Sequence, residues 1–291
     1  MEMKIAFFET EDWEEEYLKR KIKFHELVFF RNKLSEEVIK LVCNADILSI
    51  FVYSKIDKSL LSRFKNLKAI VTRSTGFDHI NLKECKKRNI SVLNVPHYGE
   101  NTVAEHTFAL ILALSRKIHK SYERTIRGNF SLEGLRGFDL KGKTIGVIGL
   151  GSIGKHVARI AKGFEMNILA YDVKKDKSFA EKFGIKYVKF DYLLKNSDIV
   201  TLHCPYNKET HHLINTKNIK LIKKGAYLIN TARGGNVETK ALVNTLANGN
   251  LGGAGLDVLE EESIIKEEIQ LLSKNFPKNN LQNLLENHLL L

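Results

Sequence analysis

Short apolar runs alternate with amphipathic, charge-rich segments along this chain. In the first hundred residues the apolar runs are KIAFFE, ELVFF, DILSIFVYS, KAIVT and SVLNV. Runs of this length, rich in β-branched and aromatic residues, predict strands. The segments between them, such as WEEEYLKRKI and SEEVIKLVCN, have the spacing of surface helices. Strands that alternate with helices predict an α/β fold, in which helices cover a parallel sheet.

A long helical segment separates this alternation from a second one. We predict a single helix over residues 101–127 that ends at Gly128. Apolar residues cover much of its circumference, which predicts burial between domains or between subunits. The second series of strands reads KTIGVIG, NILAYD, KYVKF, SDIVTLH, AYLIN and GAGLD. We therefore predict two domains, residues 1–98 and residues 99–291.

Composition and charge narrow the class of protein. The 291 residues are 43% hydrophobic, which is enough apolar material for a core, and no uncharged apolar run is long enough to span a membrane. The net charge of +12 comes from Lys and Arg spread along the whole chain, which favours a solvated basic surface over a nucleic-acid partner. The acidic N-terminal segment is unlike a secretory signal, so we expect a cytoplasmic protein.

Cysteines and histidines give no sign of a metal site. Cys43, Cys85 and Cys204 lie far apart without a C-x-x-C motif, which is typical of reduced thiols rather than of a disulfide framework or a zinc site. The neighbouring His211 and His212 lack an evident third ligand, and we interpret them as surface or packing residues.

A glycine motif marks a candidate dinucleotide site. Gly149-x-Gly151-x-x-Gly154 follows an apolar strand and opens an apolar-periodic helix, as the dinucleotide fingerprint requires. Gly149 permits the tight turn, Gly151 leaves room for a pyrophosphate, and Gly154 lets helix and strand pack closely. The alternative is a glycine turn with a purely structural role.

An acidic residue after the next strand indicates which cofactor binds. Asp172 ends the strand NILAYD, 18 residues after Gly154. A carboxylate there can accept a hydrogen bond from a ribose 2′-hydroxyl and would repel a 2′-phosphate. We therefore predict NAD, although Lys174 and Lys175, which follow directly, leave NADP as an alternative.

Longer motifs connect the chain to a known family. LINTARGGNVETKALVNTLANGNLGGAGLDVLEEE, GFDHINL and NVPHYGENTVAEHTFALILALSRK resemble the D-isomer-specific 2-hydroxyacid dehydrogenases. AFFETEDWE, RSTGFDHI and VPHYGENTVAEH bring the chain closest to the D-lactate dehydrogenase branch. The resemblance implies a Rossmann-type NAD-binding domain and a flavodoxin-like substrate lobe, both with parallel sheets. It also implies an active site in the cleft between them, and a homodimer built on the long helix.

The family reaction moves a hydride between a 2-hydroxy acid and NAD(H). Arg233, after the strand AYLIN, is expected to bind the substrate carboxylate, because its planar fork suits bidentate recognition. By family position Glu262, 29 residues later, is the carboxylate that keeps a catalytic histidine protonated. Glu260 and Glu261 adjoin it, so this assignment depends on spacing alone. Asp257 matches the family aspartate on the nicotinamide side.

The resemblance also supplies the remaining site residues. The backbone amides of Thr75 and Gly76 match the family's carboxylate cradle. Tyr98 matches the substrate-side tyrosine of the D-lactate branch, with a packed aromatic ring as the alternative. The further cofactor contacts are Ser152, Ile153, Cys204, Pro205, Thr210, Thr231 and Ala232.

The family's catalytic histidine has no evident counterpart in this sequence. In the family it follows a strand and a proline, in a context like NVIITPH. After Glu262, this sequence has Pro277 and then a helical pattern that places His288 on an apolar stripe. We therefore expect an incomplete dehydrogenase chain, without its return segment to the substrate lobe and with weak or no activity. The alternative is a non-catalytic NAD(H)-binding interaction protein, as some corepressors of the family are.

Overall fold

The computed structural model of the protein describes residues 2–260. The chain divides into two compact units, Met1–Gly99 and Glu100–Leu291, and each unit has its own parallel sheet. This arrangement confirms the predicted α/β fold class. The domain bounds 1–98 and 99–291 stay a prediction from the sequence.

The first unit has a five-stranded sheet with the strand order β2-β1-β3-β4-β5, which is the flavodoxin-like order. All its neighbouring strands are parallel. Ala6, Leu48 and Ile70 on the three central strands are fully buried, so the sheet carries the core of the unit. Its elements are β1 (Lys4–Phe7), α1 (Asp12–Lys21), β2 (Glu26–Phe29), α2 (Glu36–Val42), β3 (Ile47–Ile50), α3 (Lys58–Leu61), β4 (Ala69–Thr72), α4 (Leu82–Lys87) and β5 (Ser91–Leu93).

The second unit has a six-stranded parallel sheet with the order β11-β10-β9-β6-β7-β8, which is that of a Rossmann fold. Apolar clusters cover both of its faces. Its elements are α5 (Glu100–Ser115), α6 (Ile118–Ile126), β6 (Thr144–Ile148), α7 (Ser152–Gly163), β7 (Asn167–Tyr171), α8 (Lys177–Phe183), β8 (Ile185–Tyr187), α9 (Phe190–Asn196), β9 (Ile199–Leu202), β10 (Tyr227–Asn230), α10 (Thr239–Ala247) and β11 (Gly253–Leu256), with short 3₁₀ turns at Ile219–Leu221 and Gly234–Asn236.

The prediction of one helix over residues 101–127 was wrong, because two helices occupy this range. Lys117 has the left-handed φ of 55° and separates α5 from α6. The returning chain at Phe138 donates its N–H to the Ser115 carbonyl at 3.0 Å. This bond uses a carbonyl that an uninterrupted helix would pair with its own next turn. A tertiary contact therefore accompanies the break at a place where the sequence has neither glycine nor proline.

In the part of the chain that the structure describes, no helix is both long and apolar enough to cross a membrane. The predicted helical pattern around His288 lies outside the described residues, as does Glu262.

Candidate active site

The three glycines of the motif form the turn between β6 and α7. Gly149 has a φ of 92°, and a Cβ on it would lie 2.8 Å from the backbone nitrogen of Cys204. A Cβ on Gly154 would lie 2.0 Å from the carbonyl oxygen of Gly149. Around Gly151, in contrast, the space within 4 Å of a Cβ is open. Two of the glycines therefore serve close packing, and the third faces a free space of the kind that a pyrophosphate needs.

The amino end of α7 opens at this turn. Gly151 is its N-cap and supplies no side-chain acceptor to the first helical N–H groups. Ser152, the first residue of the helix, is exposed, and Ile153 is half-buried. Unpaired N–H groups and the helix dipole make such an end a favourable place for an anion.

Asp172 braces the glycine loop from the end of β7. Its Oδ2 accepts the N–H of Leu150 at 2.6 Å, and its Oδ1 accepts the N–H of Lys174 at 2.8 Å. A carboxylate has about four acceptor positions, so both oxygens can still accept a ribose hydroxyl. The bracing role was not foreseen from the sequence, and the contact of the same carboxylate with a ribose stays a prediction.

Cys204 and Pro205 follow β9 at the same edge of the sheet. Burial raises the pKa of the Cys204 thiol to about 11, and the negative charge of Asp172 contributes. Burial also lowers the pKa of the neighbouring His203 to about 3, and its Nε2 lies 2.9 Å from the Thr201 hydroxyl. The thiol and the imidazole are therefore both neutral at pH 7, and Pro205 beside them is exposed.

Thr210 closes the turn that begins at Pro205. Its hydroxyl donates to the Pro205 carbonyl at 2.6 Å and accepts the N–H of Asn207 at 2.8 Å. These bonds give Thr210 a local structural role, and its contact with a cofactor stays a prediction.

The turn after β10 carries Arg233 and is held by Asn230. The Asn230 side chain accepts the N–H of Ala232 at 3.1 Å and donates to the Arg233 carbonyl at 2.9 Å. Thr231 is buried and shares a 3.0 Å hydrogen bond with Thr107 of α5. Arg233 is half-buried, and its Nη1 donates to the Ala232 carbonyl at 2.8 Å. Sequence reasoning missed Asn230, although a polar residue at the end of a buried strand was a usable signal.

Asp257 follows β11, and its Oδ1 lies 3.2 Å from Nε2 of His106 on α5. Both side chains are about half exposed, so the pair is open to solvent and to ligands. His106 and Asp257 are far apart along the chain, so their contact could not be expected from the sequence.

Glu260 is the last described residue, and its side chain is largely buried. Its carboxylate accepts hydrogen bonds from the backbone N–H and the hydroxyl of Thr239, and lies 2.5 Å from Nε2 of His212. Burial alone would raise the pKa of this carboxyl group, but the bonds from His212 and Thr239 outweigh it and hold the pKa below its ordinary value. Of the three adjacent glutamates, Glu260 is therefore an anchored residue, and the catalytic role of Glu262 stays a prediction.

The loop after β4 in the first unit contains the predicted carboxylate cradle. The Ser74 hydroxyl donates to the Gly76 carbonyl at 2.7 Å. The Thr75 hydroxyl donates to the Val95 carbonyl at 3.1 Å, and the Asn94 amide donates to the Thr75 carbonyl at 2.8 Å. These bonds fix the loop through carbonyls and side chains. Tyr98 is 59% exposed and is not a packed core ring.

Within residues 2–260, no three His, Cys, Asp or Glu side chains come close enough to hold a metal ion. His211 stacks on His212 with ring centroids 3.9 Å apart, and Tyr206 lies 3.0 Å from His211 Nδ1.

Comparisons with known proteins agree with this geometry. A sequence model described as D-isomer specific 2-hydroxyacid dehydrogenase, NAD binding domain, matches residues 108–285. The chain is 40% identical to a 2-hydroxyacid dehydrogenase homolog of Haemophilus influenzae and 37% identical to D-lactate dehydrogenase of Escherichia coli, over 89% of this chain and 80% of each relative. The chain belongs to the D-isomer-specific 2-hydroxyacid dehydrogenase family.

A solved structure of the same family has the same fold. D-lactate dehydrogenase of Aquifex aeolicus, in a complex with NAD and lactic acid, superposes with a TM-score of 0.90 at 39% identity. The match covers 97% of this chain and 84% of that one. This 2-hydroxyacid dehydrogenase is accordingly an NAD-dependent oxidoreductase, and the open space at Gly151, the free helix end and Asp172 fit the cofactor.

Proposed function

We propose that this dehydrogenase interconverts a short 2-oxo acid, such as pyruvate, and the D-2-hydroxy acid. The observation that supports this proposal is the turn at Arg233, whose backbone is fixed by hydrogen bonds to the Asn230 side chain. The Asn230 side chain fixes this turn at the carboxyl end of β10, in the same unit and at the same sheet edge as the glycine loop. A guanidinium so placed can bind a carboxylate beside a bound dinucleotide.

Each candidate residue then has a chemical role. NAD(H) supplies or accepts the hydride when it is bound. Arg233 binds the substrate carboxylate and polarises the carbonyl group, assisted by the backbone amides of Thr75 and Gly76 and by Tyr98. Glu262 is placed to keep the family's catalytic histidine protonated where that histidine is present, and Asp257 orients the nicotinamide side. The remaining predicted contacts hold the cofactor: Gly149, Gly151, Ser152, Ile153, Gly154, Asp172, Cys204, Pro205, Thr210, Thr231 and Ala232.

Turnover by these 291 residues is expected to be slow, because the sequence after Glu262 contains no strand–proline–histidine motif. Loss of a positioned acid typically lowers a rate by about 10²–10⁴-fold. The cytoplasmic location and the absence of a nucleic-acid partner stay predictions from the sequence.

The cofactor assignment can be tested at Asp172. We expect Asp172→Ala to weaken NADH binding by at least about tenfold, because the charge-assisted hydrogen bond to the ribose and the bracing bond to the Leu150 N–H are both lost. NADPH binding should weaken less or improve, since the repulsion of a 2′-phosphate is also lost. Fluorescence titration with both cofactors measures this change, and Asp191→Ala, at an exposed position on α9, is the control. An unchanged NADH-to-NADPH preference in Asp172→Ala would contradict the assignment.

We also propose a homodimer that uses α6. Ile118, Tyr122 and Ile126 are spaced four residues apart, so they share one helix face, and each is more than half exposed. Phe130 and Leu132, which follow the helix, are 78% and 82% exposed. An apolar stripe of this kind marks an interaction surface.

Tyr122→Lys should convert the dimer into a monomer, because a charge would replace an aromatic ring at the centre of the stripe. Light scattering coupled to gel filtration measures the mass of the particle. Tyr192→Lys on α9, where the tyrosine is also about half exposed, is the matched control and should stay dimeric. A monomeric parent protein, or a dimer that tolerates Tyr122→Lys, would exclude this surface.

A further inference from the structure

The carboxylate of Glu260 connects three segments that are distant in the sequence. Its Oε1 lies 2.5 Å from Nε2 of His212, which belongs to the segment after β9. Its Oε2 accepts the N–H and the hydroxyl of Thr239, the first residue of α10, at 3.1 and 2.7 Å. The Glu260 side chain is 15% exposed and that of His212 is 32% exposed, so these bonds are partly shielded from water. We call Glu260, His212 and Thr239 the Glu260 anchor.

The chain at Glu260 lies directly on the turn that carries Arg233. A Cβ on Gly234 would lie 2.1 Å from the carbonyl carbon of Leu259 and 2.4 Å from the nitrogen of Glu260. On its other side the same turn receives a backbone hydrogen bond, from the N–H of His212 to the Gly235 carbonyl at 2.8 Å. The backbones of both partners in the His212–Glu260 contact therefore also contact the Arg233 turn.

His212 adopts an unusual backbone conformation to make these contacts. Its φ of 48° lies in the left-handed region, which is unfavourable for a residue with a side chain. Such a conformation persists only where the surrounding structure imposes it, and it is frequent at functional sites. The side chain of His212 contacts Glu260, its N–H donates to the Gly235 carbonyl, and its own carbonyl accepts from the Asn215 side chain at 2.8 Å, so the residue is held from several directions.

We propose that Glu260 is a positioning residue of the active site. Through the Glu260 anchor, the Glu260 side chain holds the segment after β11 against Gly234. This contact fixes the direction in which the Arg233 guanidinium extends toward the substrate carboxylate. This inference rests on the proposed function of Arg233. Glu260 touches neither substrate nor cofactor in this role, and the carboxylate is needed because a neutral amide would bind His212 more weakly.

The test compares Glu260→Gln with Glu238→Gln in the full chain. Glu238 is a good matched control, because its carboxylate also accepts a backbone N–H and a hydroxyl, both from Thr216, at 2.7 and 2.8 Å. It adjoins the start of α10, and its charge also acts on His212 and Glu260. Its described hydrogen bonds reach neither His212 nor the Arg233 turn, so an effect of lost charge alone would appear in both variants. Three quantities are measured for each variant: NADH affinity, affinity of the NADH complex for oxamate, an unreactive 2-oxo acid analogue, and amide hydrogen exchange of residues 231–240.

We expect Glu260→Gln to keep NADH affinity within about twofold, to weaken oxamate binding by about tenfold, and to accelerate exchange at residues 233–236. Glu238→Gln should leave NADH affinity, oxamate affinity and exchange at residues 233–236 unchanged. His212→Gln breaks the same contact from the other side, so it should reproduce the effect and add little to Glu260→Gln in the double variant. If Glu260→Gln fails to fold, His212→Gln alone provides the test.

Two results would overturn the inference. One is an oxamate affinity that Glu260→Gln leaves unchanged although Arg233→Gln removes it. The other is an equal loss in Glu238→Gln, which would indicate general destabilisation. If the parent protein with NADH does not bind oxamate, the proposed function fails. In that case hydrogen exchange at residues 233–236 tests the Glu260 anchor by itself. Faster exchange in Glu260→Gln and His212→Gln alone supports the anchor, and equal exchange in the parent protein and all variants refutes it.

Discussion

Replacing Gly154 by alanine is expected to lower NADH affinity by at least about 100-fold. The new methyl group would lie 2.0 Å from the Gly149 carbonyl oxygen, which is a backbone atom and cannot rotate away. To relieve the clash, α7 must move off the glycine loop. Overpacking of this kind costs about 1–3 kcal/mol of folding free energy, and it also displaces the helix end that faces the pyrophosphate. A displacement of about 1 Å at a reacting or binding group can cost a factor of about 100.

Gly163→Ala is the matched control, because Gly163 ends the same helix and a Cβ there meets no atom within 4 Å. Alanine favours helix formation over glycine by up to about 1 kcal/mol, so this variant should be as stable as the parent or more so. NADH titration by fluorescence and thermal melting are measured for both. If Gly154→Ala bound NADH as tightly as Gly163→Ala does, the close packing of the loop would not matter for the cofactor.

Replacing Arg233 by glutamine is expected to lower oxamate affinity of the NADH complex by about 100-fold. Glutamine keeps much of the length of the side chain and one donor, but it loses the charge and the bidentate fork that match a carboxylate. Truncation of one partner of a close charge pair costs about 2–5 kcal/mol. Because Asn230 holds the turn through backbone atoms, the fold of the turn should survive the substitution.

Calorimetric titration of oxamate into the NADH complex measures this loss, and NADH affinity is measured alongside it. Arg136→Gln serves as the control, because Arg136 is an exposed arginine of the same unit. Oxamate affinity that falls equally in both variants would reflect net charge alone. Unchanged affinity in Arg233→Gln would remove Arg233 from the substrate site.

The strands and the glycine loop could be predicted because their signals are local. The strand TIGVI is apolar throughout, and both faces of its sheet are covered, so an uninterrupted apolar run is what a buried parallel strand requires. Gly149, Gly151 and Gly154 act within one turn, where each position has a steric reason that the motif alone conveys. Asp172 could be singled out as a candidate site residue for the same reason, because it directly ends a predicted strand.

The break between α5 and α6 could not be predicted, because its cause is not local. Neither Arg116 nor Lys117 breaks a helix, and the hydrogen bond that takes the Ser115 carbonyl comes from Phe138, beyond the second helix. The apolar pattern continues across the break, so periodicity predicts one helix. This error does not affect the site, because the contacts that α5 makes there come from His106 and Thr107, before the break.

Within the site, the three adjacent glutamates Glu260, Glu261 and Glu262 are another case in which a role depends on contacts that are distant in the sequence. Spacing from Arg233 favours Glu262, but spacing gives no reason to expect that Glu260 is anchored. That role depends on His212, 48 residues away, and on Thr239, 21 residues away. From its neighbours in the sequence His212 is interpreted as a surface or packing residue, and only the fold brings it to Glu260.

Hydride transfer from NADH to pyruvate tests the central assignment most directly. NADH deuterated at the transferred position is incubated with pyruvate and one of three proteins: the parent chain, its His288→Ala variant and its Arg233→Gln variant. We predict deuterium at C2 of D-lactate, formed equally by the first two and at least about 100-fold more slowly by the third. Labelled L-lactate, no labelled lactate from any of the three, or a clear loss of rate in His288→Ala would contradict the account.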